Sequence, residues 1–379
     1  MATPVYNKML YKVSGSLIAQ PNYRYVCDVK NPAGTTLARL KCDKLPTTNF
    51  GFFDVQKVVE TLVSPTKPSL TQTGFVDHSG FYFGYRLDFT QEYGTTPAVT
   101  GATTTVSGVM AFAGNLEQLE LATWSGGLYF PAFIADGVSR ALTTPTSRTV
   151  YGTDYGFLCM GQSGTPFDRV QVTYPTRTFT VDLPASVSGS IARFGAGPMN
   201  LKALTSAQCS DGSAGSVNFP TAEGSSYTLA FEDSGSGDFS VAYTYVIDPC
   251  QRFNSIPVHF VNKYGGIDSY TFTMKNRKRA NIEREVFGYN SDVYATTTYN
   301  KIWAGSFDYV YALNSDWLTD AESEWLIEMV RSGYVWLELN GTLVEAVVNA
   351  NQYQFVTRRN DRLTQLQIEI AVAYDNNIL

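Results

Sequence analysis

The chain has 379 residues, of which 44% are hydrophobic, 14% aromatic and only 16% charged, and its formal net charge is -6. So high an aromatic content excludes an intrinsically disordered chain, and the length allows two or three domains of roughly 150 residues each. The negative charge argues against a protein that coats nucleic acid, and no apolar run approaches the roughly 18 residues of a membrane-spanning helix. A surface that is poor in charge and rich in Tyr, Thr, Asn and Gly indicates extensive contact with other proteins.

The N-terminal stretch and the cysteines indicate where the protein is made. The first residues lack the apolar core of roughly 7–15 residues that a signal peptide needs, so we expect synthesis in a cytoplasm. The cysteines form no Cys-x-x-Cys pair and predict neither a disulfide framework nor a zinc site. Cys27 and Cys42 lie on the arms of one predicted hairpin. Folding it about the turn places Cys27 opposite Ala38, which leaves Cys42 roughly four residues away, too far for a disulfide.

Residues 1–90 are predicted to form a β-rich domain with one short helix. A strand over residues 22–29 turns at Asn31-Pro32-Ala33-Gly34 and returns over residues 36–41. A helix is predicted in residues 52–63, where apolar side chains share one helical face and Asp54 supplies an N-terminal negative charge. These apolar residues are Phe52, Val55, Val58, Val59 and Leu62. Residues 81–93 alternate in polarity and predict a further strand.

Residues 91–250 are predicted to be a β-rich middle region with many Gly, Thr and Ser residues. Residues 94–107 are either an exposed loop or a lining strand, and both interpretations remain open. Residues 170–184 predict a strand, a turn and a second strand, and residues 239–250 predict another strand. Domain boundaries are placed near residues 90 and 250.

Residues 251–379 are predicted to form a C-terminal β-rich domain with a capped helix over residues 319–332. Two strands flank a Gly265-Gly266 turn, and Thr319 with Glu322 fits a capping box. Asn340-Gly341 predicts a type I′ hairpin turn, and the final strand is QLQIEIAVAY. The predicted fold class is therefore mainly β, in sandwich-like or barrel-like domains, with a few short helices and more than one domain.

A search for catalytic, cofactor-binding and metal-binding residues predicts none. His78 and His259 are interpreted as an ordinary loop histidine and a half-buried strand histidine. The stretch Gly161-Gln162-Ser163-Gly164-Thr165 has its second glycine one place too early for a nucleophile elbow. The stretch 195–200 lacks the third glycine of a dinucleotide fingerprint, and Asp233 with Asp238 lacks the calcium-loop spacing. We therefore expect no enzyme and no cofactor.

One basic segment, residues 275–284, is the candidate interface. Its five positive side chains could neutralise phosphates or the acidic face of a partner protein. The alternative is a solvated loop whose charge Glu283 and Glu285 partly balance. Contact with a partner protein is favoured over contact with nucleic acid. The candidate interface residues are Lys275, Arg277, Lys278, Arg279 and Arg284.

Three stretches together resemble structural proteins of tailed bacteriophages that infect Bacteroidetes, crAss-like phages included. The first has an R-x-K element followed by G-x-FDV, the second is an N-x-x-GG-x-D-x-Y-x-F element, and the third is a helix followed by a hairpin. They cover roughly a third of the chain in matching order, and residues 95–250 match nothing. The matching residues are Arg39, Lys41, Gly51, Phe53, Asp54, Val55, Asn262, Gly265, Gly266, Asp268, Tyr270, Phe272, Trp317, Trp325, Leu326 and Ser332.

This resemblance implies a non-enzymatic virion component of the tail, baseplate or neck that acts by self-assembly and protein–protein contacts. We expect its partners to be other copies of itself and neighbouring virion proteins, without nucleic acid or membrane insertion. Segment 275–284 and the loops 94–107 and 210–240 are candidates for contact between subunits.

Three alternatives remain open. The first is a capsid decoration or head-fibre protein. The second is a receptor-binding or host-glycan-binding adsorption protein, in which exposed Trp124, Tyr129 and Tyr151 stack on sugar rings. The third is a hydrolase of an envelope polysaccharide, which needs a carboxylate pair that the sequence alone does not identify.

Overall fold

A computed structural model describes residues 2–124, 139–161, 167–187, 189–249, 253–289, 299–349, 364–373 and 376–377. The described residues are mainly β, with 49% strand and 9% helix, and they contain four helices. The predicted mainly β fold class with a few short helices is confirmed. In these residues no helix is both long and apolar enough to cross a membrane.

The secondary structure consists of many short strands and a few long ones. The helices are α1 (Gln56–Glu60), α2 (Gln118–Thr123), α3 (Pro198–Lys202) and α4 (Asp320–Arg331). The strands are β1 (Ala2–Pro4), β2 (Leu10–Val13), β3 (Arg24–Lys30), β4 (Thr36–Cys42), β5 (Gly51–Asp54), β6 (Phe75–Asp77), β7 (Tyr82–Tyr93), β8 (Ala98–Phe112), β9 (Ser147–Tyr151), β10 (Phe157–Gly161), β11 (Arg169–Tyr174), β12 (Arg177–Asp182), β13 (Ile191–Gly195), β14 (Ser226–Asp233), β15 (Asp238–Phe239), β16 (Tyr243–Asp248), β17 (Ile256–Val261), β18 (Ile267–Phe272), β19 (Arg277–Tyr289), β20 (Tyr299–Leu318), β21 (Val335–Leu339), β22 (Thr342–Val348), β23 (Thr364–Val372) and β24 (Asn376–Asn377).

The first sheet has the strand order β1-β8-β7-β3-β4. The predicted strands over residues 22–29, 36–41 and 81–93 lie in it as β3, β4 and β7. The undecided stretch 94–107 is a turn followed by the first part of β8, which pairs with β7. The predicted boundary near residue 90 therefore lies inside the β7–β8 hairpin. The division of the chain into three domains stays a prediction.

The predicted register of the β3–β4 hairpin is wrong by two residues. Cys27 lies opposite Leu40, and Val29 lies opposite Ala38. One residue of the difference arises because Lys30 pairs with Thr36, which makes the turn one residue longer than predicted, and the other arises from the register shift between Val29 and Lys30. The prediction that Cys27 and Cys42 form no disulfide bond is nevertheless confirmed. Cys27, Cys42, Cys159 and Cys209 are all free thiols, and Cys250 lies outside the described residues.

The helix predicted over residues 52–63 is much shorter than expected. Phe52 to Asp54 belong to β5, which pairs with β2, and α1 occupies only residues 56–60. Backbone pairing with β2 places Phe53 in the core and leaves Phe52 45% exposed, which is the alternation of a strand. Asp54 lies beside the N-terminus of α1, where its negative charge was predicted, and its Oδ1 accepts a hydrogen bond from the backbone N–H of Gln56 at 3.0 Å.

Two further sheets form the middle of the chain. One has the order β10-β13-β6, and the other has the order β12-β11-β14-β16-β9 with β15 beside β14. Their buried faces share one aromatic core, in which the rings of Tyr227 and Tyr245 stack with centroids 4.9 Å apart. The three-stranded sheet joins β6, from the N-terminal region, to strands of the middle region.

The last sheet has the order β18-β17-β21-β22-β23-β20-β19, with β24 beside β20. Helix α4 contacts β17, β20 and β23 through Trp325, Leu326 and Met329, which are buried in one core with the inner face of this sheet. The capping box is confirmed, because Thr319 and Glu322 exchange side-chain to backbone hydrogen bonds. The type I′ turn is confirmed as well, since Asn340 and Gly341 have φ values of 51° and 73°.

The turn between β17 and β18 lies against the loop before β9, and this contact leaves no room for a side chain at Gly266. A Cβ atom there would overlap the carbonyl oxygen of Leu142. We expect Gly266→Ala to lower the free energy of unfolding by about 2–3 kcal/mol, because a backbone carbonyl does not rotate away as a flexible side chain does. Urea titration followed by tryptophan fluorescence measures the change.

Gly333 is the matched control for this prediction. It has no atom within 4 Å of its Cβ position, and its φ is not positive. Gly333→Ala should leave the stability within about 0.5 kcal/mol of the parent protein. Equal stability of Gly266→Ala and Gly333→Ala would show that the contact with Leu142 does not hold the turn.

Candidate functional site

The basic segment 275–284 is mostly strand, and it does not form a single positive patch. Lys275 precedes β19, whereas the other four candidate residues lie within it. Because side chains alternate along a strand, Arg277 and Arg279 lie on one face, and Lys278 and Arg284 lie on the other. The solvated-loop interpretation is wrong for residues 277–284, whose backbone pairs with β20.

Intrachain contacts already engage several residues of this segment. Arg279 forms an ion pair with Glu369 of β23, with 2.5 Å between nitrogen and oxygen. The Lys278 ammonium lies 3.5 Å from the centroid of the Tyr309 ring, a cation–π contact. The carbonyl oxygen of Lys275 accepts a hydrogen bond from Asn314 at 2.7 Å. These contacts fix the start of β19 to its sheet.

Acidic residues share the face of β19 that carries Arg277 and Arg279. Further along the strand the same face presents Asn281, Glu283 and Glu285, since they follow at intervals of two residues. The face is therefore positive at one end and negative at the other. We name the residues Arg277, Arg279, Asn281, Glu283 and Glu285 the charge-ordered face.

Exposed apolar side chains follow the same hairpin, and the sequence analysis did not identify them. Ile282 is 52% exposed, Val286 56% and Trp303 69%. Trp303 lies at the point where the β19–β20 register shifts, and its ring makes an edge contact with Phe287. Ala280, Ile282 and Val286 alternate with polar residues, and this pattern could have predicted a strand with apolar side chains on one face. The pattern was overlooked because charged residues lie on both faces of the strand.

The two candidate contact loops have defined structures. Within residues 94–107, Thr105 of β8 donates a hydrogen bond to Asp88 at 2.8 Å. In the other loop, Arg177 forms an ion pair with Asp211 and donates hydrogen bonds to the carbonyl oxygens of Ser213 and Ala214. The second range also includes β14 and β15, so it is part loop and part hairpin. Their role in subunit contact stays a prediction.

His78 lies in the loop after β6, as predicted, but it is fully buried there in a polar cluster. Arg193 donates to its Nδ1 at 3.3 Å, and its Nε2 lies 3.1 Å from the carbonyl oxygen of Gly265 and 3.9 Å from the sulfur of Cys159. Burial lowers the pKa of His78 well below its usual range, and the Arg193 charge lowers it further. Burial raises the pKa of the Cys159 thiol to about 12, so this Cys–His pair stays neutral and buried at neutral pH.

His259 is fully buried within β17, which is more burial than the sequence predicts. Its Nδ1 lies 2.7 Å from the hydroxyl of Ser269, and its Nε2 lies 3.5 Å from Glu338. The ring also contacts Phe157. This histidine connects neighbouring strands of the last sheet.

Neither of the two described aromatic residues proposed for sugar stacking, Trp124 and Tyr151, is fully exposed. Tyr151 is only 7% exposed, which contradicts its predicted exposure, and its hydroxyl contacts Thr273. Trp124 is half-buried, stacks near Tyr264 and donates its indole N–H to the carbonyl oxygen of Ala2 at 2.9 Å. Tyr129 lies outside the described residues.

The remaining sequence motifs are structural where they are described. Glycines 195 and 197 lie so close to neighbouring backbone that a Cβ atom would overlap it, and α3 begins at Pro198. Asp233 accepts hydrogen bonds within its own turn, from the backbone of Gly235 and the hydroxyl of Ser236. Gln162 to Thr165 lie outside the described residues. Among the residues that the structure describes, no three His, Cys, Asp or Glu side chains are placed to hold a metal ion.

The N-x-x-GG-x-D stretch is the centre of a buried polar network. The Asp268 carboxylate has no exposed surface and accepts hydrogen bonds from Thr143 at 2.7 Å, Asn262 at 2.9 Å and the Trp325 indole at 3.0 Å. The guanidinium of Arg148, itself buried, lies 3.3 Å away. The motif therefore joins the loop before β9, the β17–β18 turn and α4.

The R-x-K and G-x-FDV stretches also act in packing. Arg39 makes a two-point ion pair with Asp28, and this contact holds the pKa of that carboxyl below its usual value. Lys41 pairs with Glu92 of β7 at 2.8 Å. A Cβ atom at Gly51 would overlap the ring of Tyr25.

No family model matches the chain, and no curated protein matches it. The motif residues are therefore interpreted through their contacts, which are structural in every described case.

Glu328 of α4, which lies near Asp268, should make the stability of the fold depend on pH. It is 8% exposed, and burial, followed by the nearby Asp268 charge, raises its pKa to about 7. Between about pH 4.5 and pH 7 the folded chain therefore holds a proton that the unfolded chain releases. The free energy of unfolding should fall by up to about 3 kcal/mol as the pH rises through this window, and level off above it.

Glu328→Gln should remove this contribution, because the amide copies the neutral acid at every pH. Urea titrations from pH 4.5 to pH 8 compare the variant with the parent protein, and the difference between them isolates Glu328 from other groups. Glu324→Gln, an exposed site on the same helix, is the control and should keep the parent slope. A Glu328→Gln variant with the parent slope would contradict the assignment.

Proposed function

We propose that the chain is a non-enzymatic structural component of a tailed-phage virion, in the tail, baseplate or neck. It acts by contacts with its own copies and with neighbouring virion proteins. The observation that carries this proposal is the β19–β20 hairpin, whose outer part exposes both a charge-ordered face and apolar side chains. A surface of this kind is typical of a protein that binds other protein.

The resemblance to phage structural proteins supports the same proposal. Its described motif residues hold the fold together through the Asp268 network and the ion pairs of the first sheet. Requirements on packing, rather than on a catalytic centre, account for these residue types. The virion location follows from the resemblance and is the part that the experiment addresses first.

The test uses the phage that encodes the chain. Arg277, Lys278 and Arg279 are all replaced by Glu, which reverses the charge at the start of β19. We expect the purified protein to remain folded, while the yield of intact particles falls at least about tenfold, because like charges that face each other across an interface weaken association. Particle counts by electron microscopy and immunoblots of purified particles measure the outcome.

The matched control replaces three exposed lysines outside the hairpin, Lys8, Lys57 and Lys67, by Glu. It changes the net charge by the same amount and should leave the particle yield near that of the parent phage. Absence of the chain from purified parent particles would contradict the virion role. A normal yield from the hairpin variant would contradict the role of the hairpin.

A further inference from the structure

The outer edge of β19 is a long strand edge without a neighbour among the described residues. Within that part of the chain, β19 pairs with β20 on one side and ends its sheet on the other. Its register with β20 is unbroken from Arg277 to Glu285, a span of roughly 30 Å. Such an edge presents outward N–H and C=O groups in the spacing that another strand needs.

The order of charges along this edge is complementary to that of an antiparallel copy of β19. The charge-ordered face has two positive groups, then Asn281, then two negative groups at matching distances from it. An antiparallel copy of the same strand presents the inverse order. Arg277 would then face Glu285 of the second copy, and Arg279 would face Glu283.

The geometry of a two-fold axis agrees with this arrangement. A two-fold axis perpendicular to a sheet makes neighbouring copies antiparallel and maps each sheet face onto itself. Directly opposed residues then share a face, so the charge-ordered face of one copy continues into that of the other. Placing the axis at Asn281 brings this residue opposite its own copy and gives four opposite-charge pairs.

We propose that two copies of the chain pair through antiparallel β19 edges, with a two-fold axis at Asn281. The paired strands make one continuous sheet across both copies. This inference deepens the proposed function, since it names a second copy as the partner of the hairpin, but it concerns the purified chain and is tested without particles.

The neighbouring registers contain fewer opposite-charge pairs within the strand, and they also separate Lys278 from Arg284. With the axis at Ile282, only Arg279 meets an acidic residue, Glu285, and Arg277 faces Phe287. With the axis at Ala280, only Arg277 meets one within β19, namely Glu283. Each shift therefore reduces the opposite-charge pairs within the strand from four to two.

The proposed register has one unfavourable contact, Lys278 opposite Arg284 of the second copy, which occurs twice. Contact with the Tyr309 ring partly compensates the Lys278 charge. The four opposite-charge pairs outnumber these two. Arg279 can bind Glu369 of its own copy and Glu283 of the other, because a guanidinium has five N–H donors.

The edge of β19 lacks the features by which natural edge strands prevent pairing with another strand. Edge strands that resist pairing are short, or are interrupted by bulges or proline, or carry charges that repel a second strand. Over residues 277–285 this edge is long and has no proline, and its charges attract an inverted copy. Ile282 and Val286 also expose apolar surface beside it, and Ile282 would lie opposite Ala280 of the second copy.

The first experiment uses two double variants of the full-length chain. Variant one carries Arg277→Glu and Arg279→Glu, and variant two carries Glu283→Arg and Glu285→Arg. Each variant alone replaces four attractive pairs by four repulsive ones. Its dimer dissociation constant should therefore be at least about 100-fold higher than that of the parent dimer. Sedimentation velocity at several concentrations measures the dissociation constants.

Mixing the two variants provides the decisive comparison. In the mixed dimer every glutamate of one copy faces an arginine of the other, so the mixture should form dimers with an affinity near that of the parent. The variant with all four substitutions should dimerise with itself and not with the parent chain. Recovery of dimers in either case also shows that the variants fold.

The second experiment tests the register through a disulfide. Asn281→Cys places two thiols directly opposite each other on the axis, and mild oxidation should link most of the dimer. Arg284→Cys is the control, since its two copies lie about 20 Å apart and should not be linked. The parent protein is oxidised in parallel to measure any bond formed by the native cysteines.

Each outcome either supports or overturns the pairing. A parent chain that remains monomeric at about 100 µM would overturn it, as would equal dimerisation of the parent and both double variants. Failure of the mixture to recover dimers, or linkage of Arg284→Cys but not of Asn281→Cys, would overturn the register. The virion role has its own test in purified particles, so either proposal can fail without the other.

Discussion

The buried carboxylate of Asp268 is the constraint on which the arrangement of the sheets depends. A buried charge is tolerated only when hydrogen bonds and an opposite charge compensate for its lost hydration. Its partners come from three separate places, namely Arg148 and Thr143 beside β9, Asn262 in the β17–β18 turn and Trp325 in α4. Displacing Arg148 leaves the charge unpaired, and displacing any other partner removes a hydrogen bond from it, so these elements keep one relative arrangement.

This arrangement also holds the hairpin that projects from the last sheet. The inner half of β20, from Val310 to Leu318, pairs with β23 and packs near α4, which the Asp268 network fixes through Trp325. The outer half is less buried, and among the described residues it pairs only with β19 and, over a short contact, with β24. Because the inner half of the hairpin is fixed, the edge of β19 keeps one orientation. Less conformational entropy is then lost when a second strand binds to it.

Local signals predicted the turns and caps, whereas tertiary contacts decided the rest. Thr319 with Glu322 and Asn340 with Gly341 are recognisable because their backbone geometry depends on adjacent residues alone. The helix over residues 52–63 was overestimated, since pairing with β2 outweighs the helical pattern of Phe52 and its neighbours. The β3–β4 register was wrong because neither the extra turn residue, Thr35, nor the shift at Val29 leaves a mark in the sequence. The Asp268 network was not predictable, since Thr143 and Arg148 lie more than 100 residues from Asp268 along the chain, and Trp325 lies 57 residues away.

The basic segment shows why the position of charges matters more than their number. Counting residues 275–284 gives five positive groups and predicts a patch for an acidic partner. Sorting the same residues by the alternation of a strand puts Arg277 and Arg279 on a face that ends with Glu283 and Glu285, while Lys278 and Arg284 lie on the other. The first interpretation favours an acidic ligand, and the second favours an inverted copy of the strand itself. The sorting requires knowing that the segment is an edge strand, and only the structure supplies that information.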